Sequence, residues 1–495
     1  MNYKILFETI VHLKPIQVMY QMLAKVSHPQ FRAVKAPDVS NVVGLLAPIP
    51  KNVCCSGNDF TFLNIKDSFH SWNQTNHGML WAYNLNYMDW LWQEGMGEVE
   101  GEKWIDKFVE DLPQNHVGQD PYPIALRSIN WIKFFHKSPN SATRPRLDSL
   151  YSQILLLEKK LEYKLLGNHL LEDAYSLYIA SIYFNDQKLY AKASKLLKNQ
   201  LNEQVLADGA HYEQSPMYHC ILLDRLLDCV NFALHTDFTE TADIGFLKGT
   251  AERMLGHLES IIWENGSIPL LNDSAFGIAP SAEQLFDYAK RLGLQWKPIP
   301  MKESGYRKLK NERLEAIVDV GNITASYQPG HTHADTFSYE LRIDGKPFIV
   351  DTGISTYNKS GRRQYERSTL AHNTVSVDGK NSSEVWGGFR VGKRASVTLK
   401  NDESSVIEAV HNGFEKDNRR RFEMKGGAFV VEDWYDGEAE SYIHLAEGAD
   451  EKRVLIEGAQ SVEVKPCQYS IEYNRFLEGK VIDIRFKDNC RYTIK

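Results

Sequence analysis

Two periodicities divide this chain. From residue 81 to about residue 294 the apolar positions recur at three-and-four spacing. Examples are LYSQILLLEKKLEYKLL, DAYSLYIASIYF, AKASKLLKNQLNEQVL and CILLDRLLDCVNFALH, separated by short breakers such as FNDQ and ADGAHYEQSP. That spacing predicts serial antiparallel helix pairs. After WKPIPMKESG the period changes to two. Phe337, Tyr339, Leu341 and Ile343 share one face of a strand, Asp344-Gly345 turns it, and Phe348-Ile349-Val350 returns. Asp-Gly between alternating runs predicts a tight hairpin. A second Asp-Gly follows at 378–379, and short strands such as TVSVD, GAFVVED and VIDIRF continue to the end. The pattern predicts an α+β multidomain chain: an N-terminal arm over 1–75, a helical domain over 76–300, and an antiparallel β-sandwich over 306–495.

The hairpin carries unexpected chemistry at its ends. It is preceded by His331 and His333, one residue apart, and closes on Asp351, while His372 opens a later strand, HNTVSVD. Neighbouring strand ends can bring His333, Asp351 and His372 together. Two imidazoles and a carboxylate suit zinc; hydrogen-bonded rim residues are the plain alternative. His331 then stays free to move protons.

The helical domain holds a second set. Asn168, His169 and Glu172 open one helix in GNHLLEDAY, and His211, Tyr212, Glu213 and Tyr218 lie in DGAHYEQSPMYH. Ser215-Pro216 makes a helix cap and first turn, placing Tyr218 at a helix start. Trp81, Tyr83 and Arg127 sit in the aromatic-polar stretches WAYNLNYMDWLW and YPIALRSINW, suited to stacking on sugar rings or to a core. Arg362, Arg363, Arg367 and Arg390 offer planar cations for carboxylate or sulfate.

Charge and cysteine content narrow the classes. A net charge of −7 argues against a nucleic-acid binder. Six cysteines with no C-x-x-C pair argue against thiolate zinc and a disulfide scaffold. No stretch reaches transmembrane length, and the first residues read as amphipathic helix rather than signal peptide. The chain as written is expected in the cytoplasm, or in the periplasm if a leader has been removed. Nothing here fixes the oligomeric state.

Taken in order, LWAYNLNY, NHLLE, DGAHYEQSPMYH, GHTHAD, IVDTG, RSTLAHNTV and WGGFRVGKRA resemble the heparinase II/III-type polysaccharide lyases over most of the chain. The resemblance implies an incomplete (α/α) toroid joined to the β-domain, and β-elimination from a uronic-acid-containing anionic polysaccharide, glycosaminoglycan-like or bacterial. It implies that Asn168 and His169 contact the uronate carboxylate, with Glu172 an acidic neighbour, and that Tyr218 and His331 transfer protons. It also implies a structural zinc on His333, Asp351 and His372. Which of Tyr218 and His331 is the base stays open. The expected site is an interdomain groove rimmed by Trp81, Tyr83, Arg127 and the loop carrying Arg363 and Arg367, with His211 nearby. Rival readings are a uronate C5-epimerase, a hydrolase using Glu172 and Asp173 or Glu213 and Asp273, and a non-catalytic polysaccharide-binding or assembly protein.

Overall fold

The structure is a computed structural model that describes residues 3–40, 42 and 44–495. Its helices are α1 (Tyr3–Ile10), α2 (Pro15–Leu23), α3 (Met79–Tyr87), α4 (Glu98–Asp111), α5 (Pro121–Lys137), α6 (Arg144–Lys159), α7 (Gly167–Tyr183), α8 (Gln187–Gln204), α9 (Pro216–Leu234), α10 (Thr241–Ile261), α11 (Ala282–Arg291) and α12 (Gly361–Glu366). Helices α3, α5, α7, α9 and α11 pack in succession as an inner arc, and α4, α6, α8 and α10 back them as an outer layer. This is the incomplete toroid. Sequence explains the layering. Helices α5, α7 and α9 are buried on nearly every face, whereas α8 and α11 bury one stripe and keep a polar side.

The helix expected through residue 166 stops at Lys159. The next residues form turns, closed by the backbone N–H of Leu166 on the Glu162 carbonyl. Leu166 and Gly167 then both take positive φ, 63° each. This reversal lets α7 start abruptly in the groove.

Among the described residues, eleven strands form one antiparallel sheet that curls on itself. The long strand Ala428–Leu445 is its spine. One edge of it pairs with Asn418–Lys425 and, farther along, with Val375–Ser376 and Lys346–Ile349; the other pairs with Arg475–Ile494, with a bulge between Tyr435 and Glu438. Inner faces meet across a core in which Tyr339 lies against Phe422 and Phe429. The hairpin is as the alternation predicts: Tyr339–Ile343 pairs with Lys346–Ile349 through Asp344 and Gly345, both at positive φ.

The N-terminal arm touches both halves. The Trp386 indole N–H donates to Thr9 Oγ1 on α1 at 3.1 Å, and Gln17 on α2 donates to the Leu165 and Tyr327 carbonyls. Among the described residues no helix is long and apolar enough to cross a membrane.

Candidate functional site

A cavity of about 480 Å³ lies between the two halves, walled by α3, α5, α7 and α9 on one side and by His331, Tyr357 and Phe389 on the other. Five of the sequence-nominated side chains face it: Tyr83, Asn168, His169, Tyr218 and His331. Asn168 and His169 start α7. Tyr218 starts α9, where Ser215 Oγ accepts its backbone N–H at 3.2 Å. The Tyr218 and His331 rings stack with centroids 3.8 Å apart and planes 28° from parallel.

Behind these groups sits Asp273, fully buried in the chain that leaves α10. Its Oδ2 takes His331 Nδ1 at 2.9 Å and its Oδ1 takes His333 Nε2 at 2.8 Å. Arg363 grips the same carboxylate with both Nη atoms, at 2.5 and 2.7 Å. Burial alone would raise this carboxyl, but the guanidinium and the two imidazoles outweigh it and hold it well below the usual range. Asp273 is therefore an anion. It fixes the proton of His331 on Nδ1 and leaves Nε2 as the acceptor, 3.3 Å from the Asn168 amide nitrogen and 3.4 Å from Glu213 Oε2.

Glu213 in turn sets Asn168. It accepts the Asn168 backbone N–H at 2.8 Å and the side-chain amide at 3.0 Å. The approach is so close that a Cβ on Gly167 would meet Glu213 Oε1 at 2.5 Å. Only glycine fits there, for space and for positive φ. His169 bonds Glu162 through Nδ1 at 2.9 Å; burial lowers this imidazole, but the Glu162 carboxylate more than compensates and raises it. Burial raises the Tyr218 phenol well above its ordinary value, with Asp273 and Glu213 adding to the rise and a Tyr357 hydrogen bond opposing it. Tyr218 is thus a neutral phenol, its oxygen 3.4 Å from that of Tyr357.

Several expectations for substrate contact fail. Trp81 is a core residue whose indole donates to the Ile65 carbonyl at 3.1 Å. Arg127 is buried and spent on the carbonyls of Asn86 and Gly118 and on Gln153. His211 is buried against Gln204. Glu172 lies beneath the cavity with both oxygens unpartnered, 3.8 Å from Arg225. Arg363 holds Asp273, and Arg367 donates to the Thr332 carbonyl between the two histidines. Both arginines shape the histidine loop from within. Of the expected rim only Tyr83 lines the cavity, its hydroxyl on Asp120 at 2.9 Å. Cations in the wall come instead from Lys51, Lys133 and Arg225, each paired with an aspartate. The expected basic rim is absent among the described wall residues because these charges are already neutralised.

Asp351 and His372 bond each other, Oδ2 to Nδ1 at 2.7 Å, and the His333 and His372 ring centroids are 5.2 Å apart. Among the described residues, His333 Nδ1 and His372 Nε2 are buried with no partner. Among the described residues no three potential ligands close on one point. The residues nonetheless fit a soft divalent cation in kind: two spare buried imidazole nitrogens beside one carboxylate.

Asp273, Glu213 and Tyr357 are the site residues that sequence reasoning did not place. Glu213 entered it as a member of the DGAHYEQSPMYH set without a role, and both acids as a rival pair for hydrolysis. The one available signal was a charged Asp273, between Asn272 and Ser274, in the mostly apolar run IPLLNDSAFGIA.

Comparison with known proteins agrees with this architecture. Residues 134–290 match the model of the heparinase II/III N-terminus, and residues 295–476 match that of the heparinase II/III-like C-terminal domain. A heparin-sulfate lyase of Pedobacter heparinus is 24% identical over 343 residues, covering 63% of this chain and 50% of the relative. A heparin-sulfate lyase of Bacteroides thetaiotaomicron is 25% identical over 336 residues, covering 57% and 46%. The chain spans about half the length of the curated relatives it matches. A crystal structure of heparinase III superposes with a TM-score of 0.63 at 16% identity, covering 86% of this chain and 79% of that one. A mutant of the heparan sulfate lyase HepC from Pedobacter heparinus gives 0.55 at 16%, covering 97% and 88%. With both family domains matched in order and the fold shared, the chain belongs to the heparinase II/III family.

Proposed function

We propose that this protein is a polysaccharide lyase that breaks a uronic-acid-containing, glycosaminoglycan-like chain by β-elimination. One observation carries the reading: Tyr218 and His331, from opposite halves, stack at 3.8 Å on the wall of one cavity beside Asn168. A uronate has an acidic C5–H alpha to its carboxylate, and C4 bears the glycosidic oxygen. Abstraction of the C5 proton builds negative charge on the carboxylate. The Asn168 N–H that faces His331 Nε2 and, in the imidazolium form that Glu162 favours, the Nε2–H of His169 are the donors suited to meet it, a preorganised contribution of about 10²–10³ in rate. His331 Nε2, with Asp273 behind Nδ1, takes the proton. The neutral Tyr218 phenol gives its own proton to the C4 oxygen as that bond breaks, leaving a 4,5-unsaturated uronate and a new chain end. Acid and base each contribute about 10²–10⁴. Substrates resembling heparan sulfate come first to trial because the curated relatives are named heparin-sulfate lyases.

The test is a panel of uronate polysaccharides scored for ultraviolet absorbance of the unsaturated product and for chain shortening. Solvent deuterium at C5 without absorbance would instead indicate an epimerase. No change on any substrate overturns the reading.

We infer also a structural zinc held by His333, Asp351 and His372, on the strength of the two unpartnered buried nitrogens. Such a metal ties the histidine loop to the hairpin's end and takes no part in the proton transfers.

A further inference from the structure

A second cavity, about 530 Å³, lies between the N-terminal arm and the strand pair Val385–Trp386 and Arg390–Val391. It shares Leu165, Gln328 and Phe389 with the first, so the two are neighbours across a common wall. Its lining includes His12, Lys164, Lys359, Arg390 and Arg394, and no aspartate or glutamate. In a chain of net charge −7 this is a marked local excess.

The cations differ from those of the first cavity. There each is neutralised; here, among the described residues, none of the four cations Lys164, Lys359, Arg390 and Arg394 is ion-paired with a carboxylate, and burial together with Arg394 pushes the His12 imidazole below its ordinary value. Arg394 is the clearest case. It is half-buried, its Nε has no hydrogen-bond partner, and burial alone pushes its guanidinium down to about 10. Burying a cation without a counter-charge is costly, and a fold tolerates it where a ligand supplies the anion. Of the neighbouring acids, Glu203 is engaged by Lys14 and the Tyr327 hydroxyl, Glu384 by the Lys393 backbone N–H, and Glu8, which lies against Glu384, by Lys4. Trp386, under the Arg390 guanidinium at 4.8 Å, adds a flat surface of the kind sugar rings stack on.

We propose that this second cavity is a distal subsite for anionic groups, sulfate or carboxylate, of the same polysaccharide whose uronate occupies the first. The inference rests on the lyase reading for the identity of the chain, and it adds that the protein grips a long polyanion away from the point of cleavage. Planar guanidinium groups match the oxygens of either anion in pairs, and a cleft with one sign of charge draws such a chain in.

Binding is measured calorimetrically in the Tyr218→Phe background, so that turnover cannot consume the ligand. The probes are a heparin decasaccharide, a heparin tetrasaccharide and an unsulfated heparosan decasaccharide. Substituting the exposed pair Lys359→Ala and Arg390→Ala is expected to weaken the heparin decasaccharide about tenfold and the tetrasaccharide less than twofold, and to flatten the salt dependence of the former. Arg394→Gln should act the same way and, with its cavity relieved of an unpaired charge, should not lower the melting temperature. An equal loss on the heparosan decasaccharide assigns the subsite to carboxylates; a loss confined to heparin assigns it to sulfates. Unchanged decasaccharide affinity overturns the proposal, as does equal loss on both lengths, or competition by single-stranded DNA of the same charge as strong as by heparin. If wild-type protein leaves every polysaccharide uncut while the decasaccharide effect persists, the lyase reading falls and the subsite stands.

Discussion

Replacing Asp273 by asparagine tests the centre of the site. The new side chain has the same shape but one acceptor oxygen in place of two. It must now face His331 Nδ1–H, His333 Nε2 and both Nη groups of Arg363, all within 3 Å of the present carboxylate. One side of the amide points N–H at N–H. Stripping a buried guanidinium of its counter-ion costs about 3–5 kcal/mol of stability. Turnover should fall separately, by about 10²–10⁴, because His331 loses the acceptor that holds its tautomer and ring. The two effects are separable by a second substitution. In Asp273→Asn with Arg363→Met the stranded charge is gone, so most of the stability should return. The rate should not. Urea unfolding gives the first quantity, and the initial rate of unsaturated-product absorbance, well below the unfolding midpoint, gives the second. Refutation is a single variant with turnover within about twofold of wild type, or a double variant that recovers both quantities together.

Tyr218→Phe should keep the ring stack on His331 and change stability by less than about 1 kcal/mol while cutting turnover at least about 10²-fold; an active variant with normal kinetics removes Tyr218 from the chemistry. Elemental analysis should find zinc in the wild type and none in His372→Ala, which should also melt at lower temperature; zinc at full occupancy in the variant, or none in the wild type, rejects the metal set. Burial, opposed by Arg225, pushes the Glu172 carboxyl up to about 7 from its ordinary 4.5. A raised folded value means that the native state holds the proton more tightly, so its contribution is full below pH 4.5 and is lost as pH rises through 7, about 3 kcal/mol in all. Glu172→Gln should therefore gain stability relative to wild type between pH 5 and pH 8; a constant difference across that range contradicts it.

Periodicity was enough for the helical and β halves, because burial of whole faces dictates it, and Ser215-Pro216 placed the start of α9 by local capping chemistry. The inner arc explains a subtler difficulty. Helices buried all round carry little amphipathic signal, so Trp81 and Arg127, which looked like groove residues by type, are core residues by position. The carboxylates behind the site were illegible for a different reason. Asp273 stands 58 residues before His331 and 90 before Arg363, and no local pattern expresses a contact across that distance. Likewise the spacing of His331 and His333 does not express the one carboxylate, supplied by the other half, on which both imidazoles meet. The second cavity escaped because its cations are scattered from Lys164 to Arg394 and gather only beneath the arm that crosses between the halves.

The Asp273 carboxylate comes from the helical half, and both the imidazole it orients and the guanidinium that balances it come from the β half. The proposed proton-transfer apparatus is thus itself the bolt between the two halves, and on that proposal neither half owns a working copy. A chain nicked between α11 and Tyr306 leaves Asn168, Tyr218 and Asp273 on one fragment and His331 and Arg363 on the other. Turnover by the mixed fragments then counts the docked pairs directly, which makes the rate of product formation a gauge of assembly.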